Sequence, residues 1–167
     1  MSRLLLLRHA KAVWAKPGMK DYDRPLDVEG HNALDRLAEA MRATGLLPDR
    51  VVLSGSCRTR ETAFGLQTRL GVEVETIIDD EIYSGGAAEY LRSIRAHGDV
   101  ETLMLVGHNP SMEDLALALC AKGDRESLDR LHAGFPTAAL ATIIFSEKLS
   151  DLSREHGFLE SFPQPGA

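Results

Sequence analysis

An α/β fold, with three α/β/α layers around a mostly parallel central sheet, is predicted by three features of this sequence. Four short apolar runs read as strands, at residues 4–7, 51–53, 72–78 and 103–106. The clearest of them are apolar throughout rather than alternating, which marks strands covered on both faces. A helical pattern follows each run, and alternating strands and helices make parallel neighbours of an open sheet. Ligands bind such sheets outside the carboxyl ends of the strands. At 167 residues the chain is expected to form one domain, residues 1–167, around a single core.

Leu4-Leu5-Leu6-Leu7 ends at Arg8-His9. Residues 10–26 keep no stable period and carry Pro17, Gly18 and Pro25, so they are expected to form a long loop at the ligand edge. Asp27 is suited to cap a helix with Leu34, Leu37, Ala38 and Met41 on one face, ended by Gly45. Val51-Val52-Leu53 opens into Ser54-Gly55-Ser56-Cys57-Arg58, and a helix is expected from about residue 58 to 70, stopped by Gly71. The third strand, 72–78, leads to Asp79-Asp80-Glu81, read as a solvated turn. Tyr90, Leu91 and Ile94 mark a helix closed by Gly98.

The fourth strand stops at Gly107-His108-Asn109-Pro110. Ser111 is expected to cap a helix built on Met112, Leu115 and Leu119, with Cys120 in its apolar stretch and an end near Gly123. Residues 123–136 read as a charged loop and 138–145 as a strand. The tail from Leu149 is weakly patterned, with one short edge strand near Phe158-Leu159. No repeat, low-complexity segment or linker divides the chain.

The net charge of −6 argues against nucleic acid or an anionic membrane as partner. The opening apolar run is four residues long and ends in charge, too short for a signal or membrane segment, so the cytoplasm is the expected location. The two cysteines, Cys57 and Cys120, show neither a disulfide framework nor metal-ligand spacing.

Arg8-His9 stands where a strand empties onto the ligand edge. An imidazole there can act as a nucleophile toward phosphorus, and a guanidinium can hold phosphoryl oxygens in its planar fork. Arg58 opens a helix, where free N–H groups already favour anions. As a local string, Arg58 and Arg60 read equally well as solvated helix residues. Arg60 points roughly 200° around the helix from Arg58 and is placed outside the site. Cys57 directly precedes Arg58, whereas a cysteine phosphatase frames its loop with Cys and Arg six positions apart, so that chemistry is excluded. Gly107 and Pro110 suit a tight turn into a helix. They bring a second histidine, His108, to the edge that carries His9. His31, His97, His132 and His156 have no such placement and read as structural or solvated.

Arg-His after the first strand, Ser54-x3-Arg58-x3-Thr62 opening a helix, and Gly107-His108-Asn109-Pro110 after a late strand resemble the histidine phosphatase superfamily, which includes the phosphoglycerate mutases. The Arg8-His9-Ala10-Lys11-Ala12 opening and Asp23-Arg24-Pro25-Leu26 resemble its SixA-type phosphohistidine phosphatases. The superfamily's usual third motif residue is Gly, here Ala10. Lys11, Val13 and Trp14 replace the small polar residues and Asn of the mutase-like branch, which argues against mutase chemistry on a sugar phosphate.

The resemblance implies a phosphoglycerate-mutase-like fold and in-line attack by His9, giving a phosphohistidine that water hydrolyses. Arg8, Arg58 and a protonated His108 would surround the equatorial oxygens, with Asn109 at the substrate. His9 must be neutral and His108 cationic, so their pKa values are expected to be pushed apart. Neither metal nor cofactor is implied. Glu81 matches by position the general acid of the mutase-like relatives. Few residues separate the motifs, which predicts a shallow, open pocket suited to phosphohistidine presented by another protein. A small phosphate ester as substrate, or capture of phospho-groups without turnover, are the competing readings.

Overall fold

The computed structural model describes residues 1–163, so the part of the expected domain at 164–167 lies outside the described residues. A seven-stranded sheet runs in the order β3-β2-β4-β1-β6-β7-β5, from β1 (Ser2–Arg8), β2 (Arg50–Leu53), β3 (Glu75–Ile78), β4 (Thr102–Gly107), β5 (Cys120–Gly123), β6 (Leu140–Phe145) and β7 (Gly157–Ser161). β3, β2, β4 and β1 are mutually parallel, and β6 is antiparallel to both β1 and β7. This is the mixed, mostly parallel sheet the sequence predicts.

The central strands are buried on both sides, and their residues alternate between two cores. Leu5 and Leu7 of β1 and Met104 and Val106 of β4 face α1 (Val28–Thr44) and α2 (Cys57–Leu70). Leu4, Leu6, Leu103 and Leu105 face α4 (Ala87–His97), α5 (Ser111–Leu119) and α6 (Arg125–Ala133). Leu4 to Leu7 are all 0% exposed, and burial of each such side chain is worth about 1.5–3 kcal/mol.

β1 is followed by a helix on one face and β4 by a helix on the other. The two strands are neighbours, so the crevice between their carboxyl ends is the switch point where ligands settle in open α/β sheets.

The helix limits follow local chemistry. Asp27 caps α1 through Gly30 N at 2.8 Å, and Gly45 ends it in the left-handed region. Gly71 ends α2 in the same way. That ending shortens the third strand from the predicted 72–78. Val72 N bonds the Gln67 carbonyl at 3.1 Å and Val74 N bonds Gln67 Oε1 at 3.0 Å, so pairing begins only at Glu75.

Other elements also correct the prediction. Glu81 opens a one-turn helix, α3 (Glu81–Ser84), rather than lying in a turn. Ser111 sits inside α5, its hydroxyl donating to the Gly85 carbonyl at 2.7 Å instead of capping. α5 stops at Leu119 because Cys120 to Gly123 pair with β7. Residues read as a charged loop form α6, whose cap is Asp124 accepting from Ser127 N at 2.9 Å. Only Leu128 and Leu131 gave that helix an apolar face, too little to reveal its period. β7 lies between β6 and β5 and is not an edge strand.

Gly107 closes β4 against Tyr90: a Cβ there would stand 2.7 Å from the tyrosine oxygen and 2.8 Å from its ring. Gly107→Ala is expected to lose about 1–3 kcal/mol of stability by overpacking, read as a lower denaturation midpoint in urea. An unchanged midpoint would show that Tyr90 can yield.

Candidate active site

The β1–β4 ladder pairs Arg8 with Gly107, and His9 N continues it by donating to the Gly107 carbonyl at 3.1 Å. The residues that follow, His9 and His108, therefore face one another with ring centroids 5.3 Å apart. His9 Nδ1 lies 2.8 Å from the Ala10 carbonyl. A carbonyl only accepts, so Nδ1 carries the proton and Nε2 of the neutral ring has a free lone pair. Thr62 holds this corner: its hydroxyl accepts from Ala10 N at 3.0 Å and donates to the Arg58 carbonyl at 2.7 Å. The threonine of the Ser-x3-Arg-x3-Thr pattern thus joins α2 to the end of β1.

The serine of that pattern meets the second histidine, with Ser54 Oγ 2.6 Å from His108 Nε2. His108 N donates to the Tyr90 hydroxyl at 2.9 Å, which fixes the backbone behind the ring.

Both arginines are held by acceptors from irregular segments. Arg8 Nη1 donates to the Phe135 carbonyl at 2.8 Å. Arg58 Nη1 donates to the Asp21 carbonyl at 2.8 Å and Nη2 to Asp21 Oδ2 at 3.0 Å. Four buried side-chain nitrogens have no hydrogen-bond partner among the described residues, and three of them belong here: Arg8 Nε, Arg58 Nε and His108 Nδ1. Buried polar groups are normally paired, so three orphans around one imidazole mark a place built for an anion.

Burial and the guanidiniums push His9 down to about 4, with the Ala10 hydrogen bond opposing them. His108 falls to about 3 through burial, His9 and Arg58, against the attraction of Asp21. The expected divergence is therefore replaced by a common depression, because both rings share one desolvated, positive environment. A phosphoryl dianion placed between them would oppose that field.

The site is also less open than predicted: His9, Arg58 and His108 are 9%, 7% and 8% exposed. Residues 10–26 lie over it as a mostly irregular segment with one 3-10 turn, Asp21–Asp23.

Asn109 stands beside Arg8, its amide donating to the same Phe135 carbonyl at 3.1 Å while Oδ1 accepts from Glu113 N at 3.2 Å. Glu81 is not drawn in with the others: its exposed carboxylate pairs with Arg92 of α4. From the same helix α3 it is Tyr83 that turns inward, edge-on to the His108 ring at 5.5 Å. Asp21, Tyr83 and the Phe135 carbonyl were not expected from the sequence. A backbone carbonyl leaves no residue signal, and Asp21 and Tyr83 lie outside any strand end. Among the described residues no group of three or more His, Cys, Asp or Glu is arranged to hold a metal ion. None of their helices is long and apolar enough to cross a membrane.

Comparison with known proteins agrees with this geometry. The family model of the histidine phosphatase superfamily (branch 1) matches residues 4–83. The SixA protein of Agrobacterium tumefaciens, described as a candidate phosphohistidine phosphatase, is 32% identical with a TM-score of 0.79, covering 98% of both chains. That of Nakamurella multipartitia, described likewise, is 30% identical with a TM-score of 0.82, covering 99% of this chain and 97% of its own. An uncharacterized chloroplastic protein of Arabidopsis thaliana is 33% identical over 127 residues, 70% of this chain but only 58% of the plant protein. With nearly full-length similarity at 30% identity or more and the motif histidines and arginines assembled at one strand edge, this chain belongs to the histidine phosphatase superfamily and is SixA-like.

Proposed function

We propose that the protein is a metal-independent phosphatase that forms a phosphohistidine on His9 and acts on phosphohistidine carried by another protein. The observation that carries this reading is the set of orphaned nitrogens, Arg8 Nε, Arg58 Nε and His108 Nδ1, beside a neutral imidazole with its Nε2 lone pair free.

His9 Nε2 attacks phosphorus and the bond to the leaving group breaks opposite it. Both arginines take up charge on the equatorial oxygens. His108 donates from Nδ1 when the Ser54 hydroxyl is turned toward Nε2, which lets even a neutral ring serve. Water then releases phosphate from His9. Two guanidiniums meet the phosphoryl charge, so no cation is needed to neutralise it.

Two observations support phosphohistidine over an alkyl ester. The Glu81 carboxylate is occupied by Arg92, and an imidazole leaving group is easily protonated without a dedicated acid. A groove of about 680 Å³ borders Arg8 and Asn109, floored by Phe135, Pro136 and Phe162 and edged by Arg130, which gives a bulky leaving group room. The similarity to the two SixA proteins points the same way. A pure capture module would have no use for a nucleophile held in its reactive tautomer.

His9→Ala is expected to abolish turnover of a phosphohistidine peptide while inorganic phosphate still binds measurably, since the arginines remain. Substantial residual hydrolysis would remove His9 as the nucleophile.

Exhaustive chelation is expected to leave the rate unchanged. A loss restored by a divalent cation would overturn the metal-independent reading.

Glu81 is proposed as proton donor for ester leaving groups alone, a role that requires it to give up its ion pair with Arg92. Glu81→Gln should slow an alkyl phosphate by ~10²–10⁴, the usual worth of a general acid, and leave phosphohistidine hydrolysis within about twofold. Parallel assays on both substrates decide it, because equal losses, or none, would leave Glu81 without that role.

A further inference from the structure

Arg58 is the one phosphate-facing arginine gripped by a carboxylate, and the grip is unusually complete. Asp21 takes Nη1 on its main-chain oxygen and Nη2 on Oδ2. The same Oδ2 accepts the Tyr83 hydroxyl at 2.7 Å, and Oδ1 accepts Arg24 Nη1 at 2.9 Å. Arg24 is itself tied back through Nε to the Val13 carbonyl at 2.9 Å. Hydrogen bonds from Tyr83, Arg24 and Arg58 hold the Asp21 carboxyl well below the usual range, so it stays ionised.

The turn that carries Asp21 is strapped down from its other side. The Tyr22 hydroxyl donates to Asp80 Oδ1 at 2.9 Å, and the same oxygen accepts Gly55 N at 2.9 Å. A Cβ on Gly55 would stand 2.2 Å from the Tyr22 oxygen, so the strap passes over the start of α2 only because residue 55 is glycine.

A guanidinium is planar, with its donors in a fixed fork. Nη1 and Nη2 each spend one N–H on Asp21, which sets the plane, and Nε is the guanidinium nitrogen that is buried and without a partner among the described residues. We propose, on the phosphatase reading of the same site, that Asp21 is a positioning residue: it clamps the outer edge of Arg58 so that Nε is presented to the phosphoryl group.

The opposite role, an internal anion that blocks Arg58 until substrate displaces it, fits less well. The bond from Nη1 is to the Asp21 backbone, which a swing of the carboxylate would not release. The carboxylate is also shared with Tyr83 and Arg24, so displacing it would break two further hydrogen bonds.

The test is a double-mutant cycle of Asp21→Ala and Arg58→Ala, with Asp21→Asn alongside, read by turnover of a phosphohistidine peptide and by calorimetric binding of orthovanadate. A donor that acts in the transition state lowers kcat rather than raising KM. Asp21→Ala should therefore cut kcat by ~10–10²-fold and move KM by less than about threefold. Asp21→Asn keeps the main-chain bond and an oxygen for Nη2 and should recover most of that loss. In the Arg58→Ala background, Asp21→Ala should cost less than about twofold more, since its effect runs through the arginine.

Losses that multiply in the double variant would overturn the clamp, as would an Asp21→Ala variant that binds vanadate more tightly than the parent. Vanadate binding needs no turnover. A protein that binds it through Arg58 and Asp21 yet hydrolyses nothing would refute the phosphatase reading and leave the clamp standing.

Discussion

The parallel ladder between β1 and β4 pairs Arg8 with Gly107, and with that register the first residues beyond both strands become neighbours. His9 and His108 lie ninety-nine positions apart in sequence, yet they share one crevice because two backbone strands run side by side and end together. The helices that follow them depart to opposite faces, which keeps that crevice clear of backbone. α2 then enters from the next strand over, and its first turn delivers Arg58 to the same edge. A slip of one residue in this ladder would turn the leucines of β1 to the wrong cores and carry His9 away from His108. Core burial and site geometry are therefore set by the same register.

Gathering two guanidiniums and two imidazoles in a buried crevice is electrostatically unfavourable, and the surroundings show how it is tolerated. Both imidazoles are driven neutral, to about 4 and about 3, which removes two of the four positive charges. Arg8 is met by the neutral Phe135 carbonyl and Arg58 by one ionised carboxylate, Asp21. The remaining field is positive and directed at a site with unpaired donors, which favours an oxyanion over water. The depressed His9 follows first from burial and then from the charge of Arg58 and Arg8, so the crevice that gathers positive charge also leaves this imidazole unprotonated.

Short elements decide much of the detail. α3 is a single turn, and two of its residues go separate ways: Glu81 outward to Arg92, Tyr83 inward against His108 and Asp21. Residues 10–26 are anchored by the Ala12–Leu26 bridge, by Asp27 N donating to the Lys11 carbonyl at 2.9 Å, and by the Tyr22–Asp80–Gly55 contacts. A segment with no secondary-structure period of its own is thereby held in one place by backbone contacts near its ends and by the Asp80 side chain.

Elements whose stabilising interactions are local or strongly patterned can be read from the residues alone. The apolar runs of β1 and β4, the Asp27 cap, the Gly45 and Gly71 stops, the placement of Arg8, His9 and His108 at strand ends and that of Arg58 at a helix start were all legible, because burial on two faces and helix-end chemistry act within a few residues. The rest depends on long-range packing. Val72 to Val74 look like strand but are captured by the end of α2, and α6 looks like loop until its two leucines find the far core. β7 reads as an edge strand until β5 pairs beside it. Asp21 was silent in sequence for the same reason. Its carboxylate matters through Arg58, Tyr83 and Arg24, and two of those partners lie thirty-seven and sixty-two positions away. A contact across that distance is created by packing, and neither periodicity nor propensity records it.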